Sequence, residues 1–121
     1  MTYDDSNIFA KILRGEIPCK KIYEDDFVLS FYDINPQKKV HALVIPKGKY
    51  VDLDDFSQNA PPEEMVGLLK GINTTAKKLG ISADTGKGYR ALANISDYGG
   101  QEVPHLHFHL FGGEKVGKMV S

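Results

Sequence analysis

Three histidines alternate with apolar residues near the end of the chain, in the segment His105-Leu106-His107-Phe108-His109-Leu110-Phe111. Successive side chains of a strand point to opposite faces of a sheet. The pattern therefore predicts a strand, with three imidazoles on one face and a hydrophobic set on the other. Neighbouring histidines on that face would lie about 6.5–7 Å apart, which is twice the rise of a strand residue. The segment therefore predicts a sheet with one face packed in the hydrophobic core and the other face carrying the histidines of a functional site.

Two kinds of chemistry fit this row of histidines, because imidazole is both a metal ligand and an acid, base or nucleophile near neutral pH. In the first, a His-x-His pair supplies two zinc ligands, and His41 or the third histidine completes the set. Against this interpretation, no acidic residue lies inside the row to orient a ligand imidazole, although Glu102 is close in sequence. In the second, the middle histidine, His107, attacks phosphorus while its neighbours hold its tautomer and assist the leaving group. Spacing alone does not choose between them.

The turn that precedes the row favours phosphate. It runs from Asp97 to Pro104 and contains Gly99 and Gly100, and glycines let backbone N–H groups approach an anion closely. The chain has no Walker-type loop, because glycine, lysine and serine or threonine never follow one another in that order. A phosphate site at this position would therefore depend on the glycine turn and the histidines together.

Hydrophobic periodicity predicts an α+β domain with an antiparallel sheet. A short N-terminal helix is expected over Ser6–Leu13, capped by Ser6, and a long central helix over about 61–79, after Pro61 and Pro62. Residues 51 to 60 look irregular. Five strands are predicted, with Asp25-Asp26 as the first hairpin turn: Lys21–Glu24, Phe27–Asp33, 41–45, Tyr89–Ile95 and His105–Phe111.

Composition excludes several other classes of protein. The 121 residues fit one domain, taken as 1–121, and the net charge of −1 gives no reason to expect nucleic acid or a membrane surface as partner. A single cysteine forbids an intrachain disulfide. The N-terminus lacks the basic and apolar regions of a signal peptide, and no apolar run approaches a membrane span. A cytoplasmic protein is therefore expected.

The chain resembles the histidine triad (HIT) superfamily, and within it the Hint branch of purine nucleoside phosphoramidases. The triad signature is His-φ-His-φ-His-φ-φ, where φ is apolar, and residues 105–111 match it in full. Other blocks similar to that branch extend the resemblance over residues 6 to 113: Ile8–Ile12, Gly15–Pro18, Tyr23–Asp25, Phe31–Pro36, His41–Lys47, Gly88–Arg90, Asn94 and Gly99–Gln101.

The resemblance implies a catalytic role for each histidine. His107 would be the nucleophile and would form a nucleotidyl-histidine intermediate that water hydrolyses. His105 and His109 would shape and polarise the site, and His41 would stand beside the row. Asn94 would contact the α-phosphate or the leaving group. The turn residues facing the phosphate and leaving group would be Gly100, Gln101, Glu102 and Val103.

The resemblance also implies a nucleotide pocket. Asp33 would accept hydrogen bonds from the ribose hydroxyls. The base pocket would be lined by five apolar residues that also fit a simple core interpretation: Phe9, Ile12, Phe31, Ile34 and Leu43. The substrate would be a purine nucleoside monophosphate derivative, cleaved at a P–N or, more slowly, a P–O bond, with no metal or other cofactor. A zinc hydrolase using the same histidines and a non-catalytic nucleotide- or partner-binding module remain as alternatives.

The implied assembly is a two-fold homodimer, with the long helix and the fourth strand at the interface and a continuous ten-stranded sheet. The chain departs from the branch in two places. Glu102 stands where a small hydroxyl residue is common, and a carboxylate there repels phosphate unless it turns away or is protonated. The C-terminal segment has no tryptophan, so it resembles bacterial members more than animal ones, and leaving-group selectivity does not carry over.

Overall fold

The computed structural model describes residues 2–119. Its centre is a five-stranded antiparallel sheet in the order β1-β2-β3-β5-β4. The strands are β1 (Lys21–Glu24), β2 (Val28–Tyr32), β3 (Val40–Pro46), β4 (Arg90–Leu92) and β5 (Phe108–Gly112), and the helices are α1 (Ile8–Leu13), α2 (Leu53–Asn59) and α3 (Pro62–Lys78). The predicted α+β class and antiparallel sheet are confirmed.

Strands β2 and β3 are largely buried on both faces of the sheet, and each face has its own hydrophobic core. One core lies between the sheet and α3, and it includes Val28, Val44, Leu68, Ile72 and Leu110. The other lies under α1: Phe9, Leu29, Phe31, Leu43 and Ile45. Alternate residues of β2 and β3 thus supply opposite cores, as the period of a strand requires. The face under α1 is also the face of His41.

Two helix glycines let α3 approach the sheet closely. A Cβ atom on Gly71 would lie 2.5 Å from Cγ2 of Val28, and one on Gly67 would lie 2.5 Å from Cγ of Phe27. Glycine inside a helix costs about 1 kcal/mol relative to alanine, so close packing has to offset that cost here. Thr75, one turn after Gly71, donates its hydroxyl proton either to the Gly71 carbonyl (2.7 Å) or to Ser30 Oγ (2.8 Å).

Two local predictions are wrong. Asn7, not Ser6, caps α1, because its side chain accepts the backbone N–H of Ala10 at 2.9 Å. Residues 51 to 60 are not wholly irregular, because α2 lies within them, and Asp52 caps it by accepting the N–H of Asp55 at 2.8 Å. The hairpin turn is as predicted, since Asp25 Oδ1 accepts the N–H groups of Phe27 and Val28.

Three strands are shorter than predicted, and β2 loses only its two end residues, Phe27 and Asp33. The fourth strand was predicted over Tyr89–Ile95 and is confined to Arg90–Leu92. The fifth was predicted from His105 but begins at Phe108, the residue that pairs with Val44 of β3.

Within residues 2–119, no helix is long and apolar enough to cross a membrane.

Candidate active site

The histidine row enters β5 from an irregular segment. Only His109 lies inside the strand, and His105 and His107 precede it. Residues 105–107 do not pair with β3, because their backbone has other hydrogen-bond partners. The N–H of Leu106 donates to the Tyr50 carbonyl at 2.8 Å. Alternation persists, since Leu106 and Leu110 are buried in the α3 core. The predicted single strand is therefore wrong for the first two histidines, and the predicted separation of imidazoles from core residues is correct.

His105 is fully buried and anchors the segment. Its Nε2 lies 2.8 Å from the carbonyl oxygen of Pro46, and its Nδ1 lies 2.6 Å from the hydroxyl of Tyr3. A carbonyl can only accept, so Nε2 carries the proton and Nδ1 accepts from Tyr3. Burial lowers the pKa of His105 to about 4, so the ring is neutral at pH 7. Both ring nitrogens of His105 are thus occupied within the protein.

His107 has the opposite tautomer. Its Nδ1 lies 2.8 Å from the backbone carbonyl oxygen of His105, so Nδ1 carries the proton and Nε2 keeps a lone pair. The ring packs edge-on against Phe9 with centroids 4.9 Å apart. Burial lowers the pKa of His107, although the His105 carbonyl and the charges of Asp33 and Glu102 act in the other direction. His107 therefore presents a neutral imidazole with one free nitrogen.

A second hydrogen-bonded chain fixes the tautomer of His109. The backbone N–H of Gln37 donates to Nδ1 of His41 at 3.1 Å, which places the His41 proton on Nε2. That Nε2 lies 2.9 Å from Nδ1 of His109. His109 Nδ1 therefore accepts, and its own proton sits on Nε2. Burial, reinforced by repulsion from His107 and His41, lowers the pKa of His109 to about 4.

Asp33 lies beside this pair. Its Oδ2 is 3.4 Å from His41 Nε2, and its Oδ1 accepts the backbone N–H of Asn35 at 2.8 Å. The ligand atoms of Asp33, His41 and His109 all lie within 4.8 Å of one another, as metal ligands would. However, a ligating nitrogen needs a free lone pair, and histidine ligands usually donate their other N–H. In His41 the other nitrogen accepts from Gln37, so a metal on Nε2 would require an imidazolate or the loss of that bond.

A cavity of about 710 Å³ opens beside the histidines. The predicted site residues that line it are Phe9, Ile12, Phe31, Asp33, Ile34, His41, Leu43, Asn94, Gly100, Glu102, Val103, His107 and His109. Ile34 is 96% exposed, so the core interpretation is wrong for it, and its side chain forms part of the cavity wall. The walls are otherwise mostly apolar, and this cavity is large enough for a nucleoside monophosphate.

Two predicted residues lie outside this lining. His105 is behind the cavity, as its bonds require. The Gln101 side chain instead bonds backbone groups: its Nε2 donates to the carbonyls of Val51 (2.6 Å), in the segment after β3, and Val103 (3.0 Å), and its Oε1 accepts the N–H of Ser96. The Gln101 side chain thus stabilises the glycine turn through these hydrogen bonds and does not line the cavity.

Sequence reasoning missed several residues that contact the histidines, Tyr3, Gln37 and Pro46 among them. Tyr3 bonds His105 from the N-terminal segment, and Gln37 bonds His41 through its backbone. Almost every residue has a backbone N–H, so the residue type at position 37 could not predict this bond. Tyr3 lies 102 positions from its partner, so only the folded chain brings the two together.

The fold and the site define an α+β protein with a histidine-lined cavity on one sheet face. The HIT domain family matches residues 14–116 of the chain. The chain belongs to the HIT family, as predicted.

Its relatives are similar along almost the whole length. A HIT-like protein of Azospirillum brasilense is 51% identical over 120 residues, which cover 99% of this chain and 96% of that protein. The purine nucleoside phosphoramidase of Escherichia coli K12 is 40% identical over 118 residues, which cover 97% and 95% of the two chains. A HIT family hydrolase from Clostridium thermocellum shares the fold with a TM-score of 0.85 and 36% identity, covering 98% of this chain and 99% of that one.

Proposed function

We propose that this protein hydrolyses purine nucleoside phosphoramidates at the P–N bond, and related nucleotidyl esters more slowly, through a nucleotidyl-histidine intermediate. The observation that carries the proposal is the hydrogen bond from His107 Nδ1 to the His105 carbonyl. Among the described residues it leaves the Nε2 lone pair of this neutral ring without a partner, and the His107 side chain lines the cavity. The activity named for the Escherichia coli relative supports the same reaction.

The cavity supports a nucleotide lying along it. The apolar side chains that line the cavity, Phe9 and Ile34 among them, form a slot for a flat purine. Asp33 offers a carboxylate to the ribose hydroxyls, and Asn94 offers an amide to the α-phosphate or the leaving group. With few polar groups near the slot, we expect little discrimination between adenine and guanine.

The reaction has two displacements at phosphorus. In the first, His107 Nε2 donates its lone pair to the α-phosphorus, and the bond from phosphorus to the leaving nitrogen breaks. The leaving nitrogen keeps the electron pair and takes a proton from solvent, while the Nε2–H of neutral His109 donates a hydrogen bond to it. In the second, water attacks phosphorus, the P–Nε2 bond breaks, and the nucleoside monophosphate and one proton leave.

The test is turnover of adenosine 5′-phosphoramidate by wild type and by His107→Ala. We expect the variant to lose turnover while binding AMP with similar affinity. We expect rapid quenching of the wild type in alkaline denaturant to trap an adduct on His107 that is stable to base and labile to acid. Retained turnover in His107→Ala would contradict the proposal. A wild type that binds AMP but never turns over the phosphoramidate would instead favour the non-catalytic module.

A zinc-dependent hydrolase is the second candidate, because Asp33, His41 and His109 bring three ligand atoms together. The bond from the Gln37 N–H to His41 opposes it. Metal analysis of purified protein, followed by an assay after chelation, decides between the two. Full activity in metal-free protein excludes zinc catalysis, whereas activity restored by stoichiometric zinc would overturn the metal-free mechanism.

We also propose a homodimer that joins two sheets. Strand β4 is the edge of the sheet beyond β5, so its outer backbone groups have no strand partner among residues 2–119. On α3, Val66 is 50% exposed and Leu69 is 68% exposed, so this helix has apolar side chains that a second copy could cover. Light scattering should give a mass of two chains, and Leu69→Asp should shift it toward one.

A further inference from the structure

The cavity carries negative charge only. Among the side chains that line it, Asp33 and Glu102 are the carboxylates, and no lysine or arginine is present. A phosphate bound beside His107 would add further negative charge in the same space. Unlike a cavity built for a polyphosphate, this one offers no permanent cation to balance it.

The two carboxylates differ in what they already contact. Asp33 is beside His41 and accepts a backbone N–H, so it is held in place. Glu102 is exposed, and in the described part of the chain its carboxylate has no hydrogen bond and no ion pair. It lies in the loop between the glycine turn and His105, and its charge acts on His107. Glu102 is therefore an unpaired anion at the cavity edge, within electrostatic reach of the proposed nucleophile.

We propose that Glu102 is a specificity residue that favours amine leaving groups bearing a second, positively charged centre. This inference rests on the proposed function. The reacting nitrogen is bonded to phosphorus and uncharged, so the cation has to sit further along the leaving group, where Glu102 can pair with it. Such a pair would offset the repulsion between Glu102 and the phosphate, whereas a neutral or anionic leaving group leaves that repulsion uncompensated.

The expected effect is modest because the pair is exposed to solvent. Exposed ion pairs change an equilibrium by about two- to fivefold, and salt weakens them. We therefore expect wild type to prefer a cationic leaving group over its neutral counterpart by about that factor in kcat/KM at low ionic strength. The preference should shrink as sodium chloride is raised.

The experiment compares two adenosine phosphoramidates whose leaving amines have equal chain length, one ending in an ammonium and the other in a hydroxyl. The ratio of their kcat/KM values is measured for wild type, Glu102→Gln and Glu102→Lys. We expect the ratio to fall to about one in Glu102→Gln. In Glu102→Lys we expect it to invert, and a third compound ending in a carboxylate should become the best of the three.

Asp54→Asn is the matched control, because it removes one exposed carboxylate from α2, outside the cavity lining. It should leave the ratio unchanged. Equal kcat/KM values in wild type, or a ratio that Glu102→Gln does not alter, would overturn this inference and leave the proposed function intact. No turnover of any of the compounds by wild type would overturn the proposed function, and this inference with it.

Discussion

The hydroxyl of Tyr3 lies 2.6 Å from Nδ1 of His105, and this bond joins the N-terminal segment to the histidine row. The same imidazole holds the Pro46 carbonyl through Nε2. The backbone carbonyl of His105 in turn holds His107. A residue at the start of the chain thus supports the peptide that orients the proposed nucleophile.

Removing that hydroxyl should destabilise the fold. In Tyr3→Phe the buried Nδ1 of His105 loses its donor, and an unsatisfied buried acceptor costs about 1–3 kcal/mol. Urea unfolding at pH 7 measures the loss. Tyr98→Phe is the control, because Tyr98 is fully exposed and should change stability by less than about 0.5 kcal/mol. Equal stability of the two variants would mean that the Tyr3 bond contributes nothing.

The three histidines should show alternating tautomers. The hydrogen-bond partners require a proton on Nε2 in His105 and His109, and on Nδ1 in His107. Nitrogen-15 NMR of the imidazole rings at pH 7 distinguishes the two forms directly. His41→Ala should perturb the signals of His109 much more than those of His105. A His107 ring protonated on Nε2 would remove its free lone pair, and the proposed attack with it.

Stability should fall as pH is lowered from 7 to 5. His105 has a folded pKa of about 4, depressed chiefly by burial, against about 6.5 when unfolded. Between these values the unfolded chain binds more protons, so stability is complete above about pH 6.5 and is lost on the way to pH 4. His105 alone contributes a loss of about 2 kcal/mol between pH 7 and pH 5.

Urea unfolding at pH 7, 6 and 5, at one protein concentration, measures this slope. Carboxylates with lowered pKa values, such as Asp25, lose their contribution only at lower pH. A His105→Gln variant should have a shallower slope even if it is less stable at pH 7. Stability that stays level or rises toward pH 5 would contradict a buried neutral His105.

The close contact of α3 with the sheet predicts that Gly71→Ala destabilises the protein, although alanine favours a helix more than glycine does. Gly71→Ala should gain about 1 kcal/mol of helix propensity, but its Cβ would lie 2.5 Å from Cγ2 and 3.1 Å from Cγ1 of buried Val28. Overpacking of this kind costs about 1–3 kcal/mol, which exceeds the gain in helix propensity, so we expect Gly71→Ala to lower the free energy of unfolding. A double-mutant cycle with Val28→Ala should show coupling, and independent effects would exclude the clash.

The proposed role of Asp33 predicts a loss of sugar discrimination. Asp33→Asn should raise KM for the adenosine phosphoramidate by about ten- to a hundredfold, because a hydrogen bond to a charged group contributes about 1.5–3 kcal/mol. KM for the 2′-deoxy compound should rise less, because it lacks one of the hydroxyls. Equal increases for both sugars would place Asp33 away from the ribose.

The strands and the separation of histidines from core residues follow from period-two patterns, which are local, and β1 was placed exactly. The start of β5 was predicted wrongly. His105 and Leu106 donate to the carbonyls of Pro46 and Tyr50, which lie far away in sequence, and a local pattern cannot predict such bonds. Short helices were also difficult. Helix α2 has seven residues, of which only Phe56 is buried, so its apolar signal is weak.

Caps and tautomers depend on geometry that residue types do not encode. Ser6 and Asn7 are both good caps, and only the path of the chain puts Asn7 at the first turn. Most residues that the family resemblance implied for the site line the cavity, and their roles stay predictions. The resemblance placed Gln101 toward a ligand, whereas this side chain donates to the carbonyls of Val51 and Val103.

His107 rests on a backbone carbonyl, a group that has no capacity to take up a proton. In the proposed reaction, the ring therefore keeps its Nδ1 proton after it has bonded to phosphorus, and the adduct is an imidazolium. A cationic ring is a far better departing group than a neutral one. The enzyme form that carries the nucleotide should consequently be short-lived, and rapid quenching rather than equilibrium mixing should be needed to observe it.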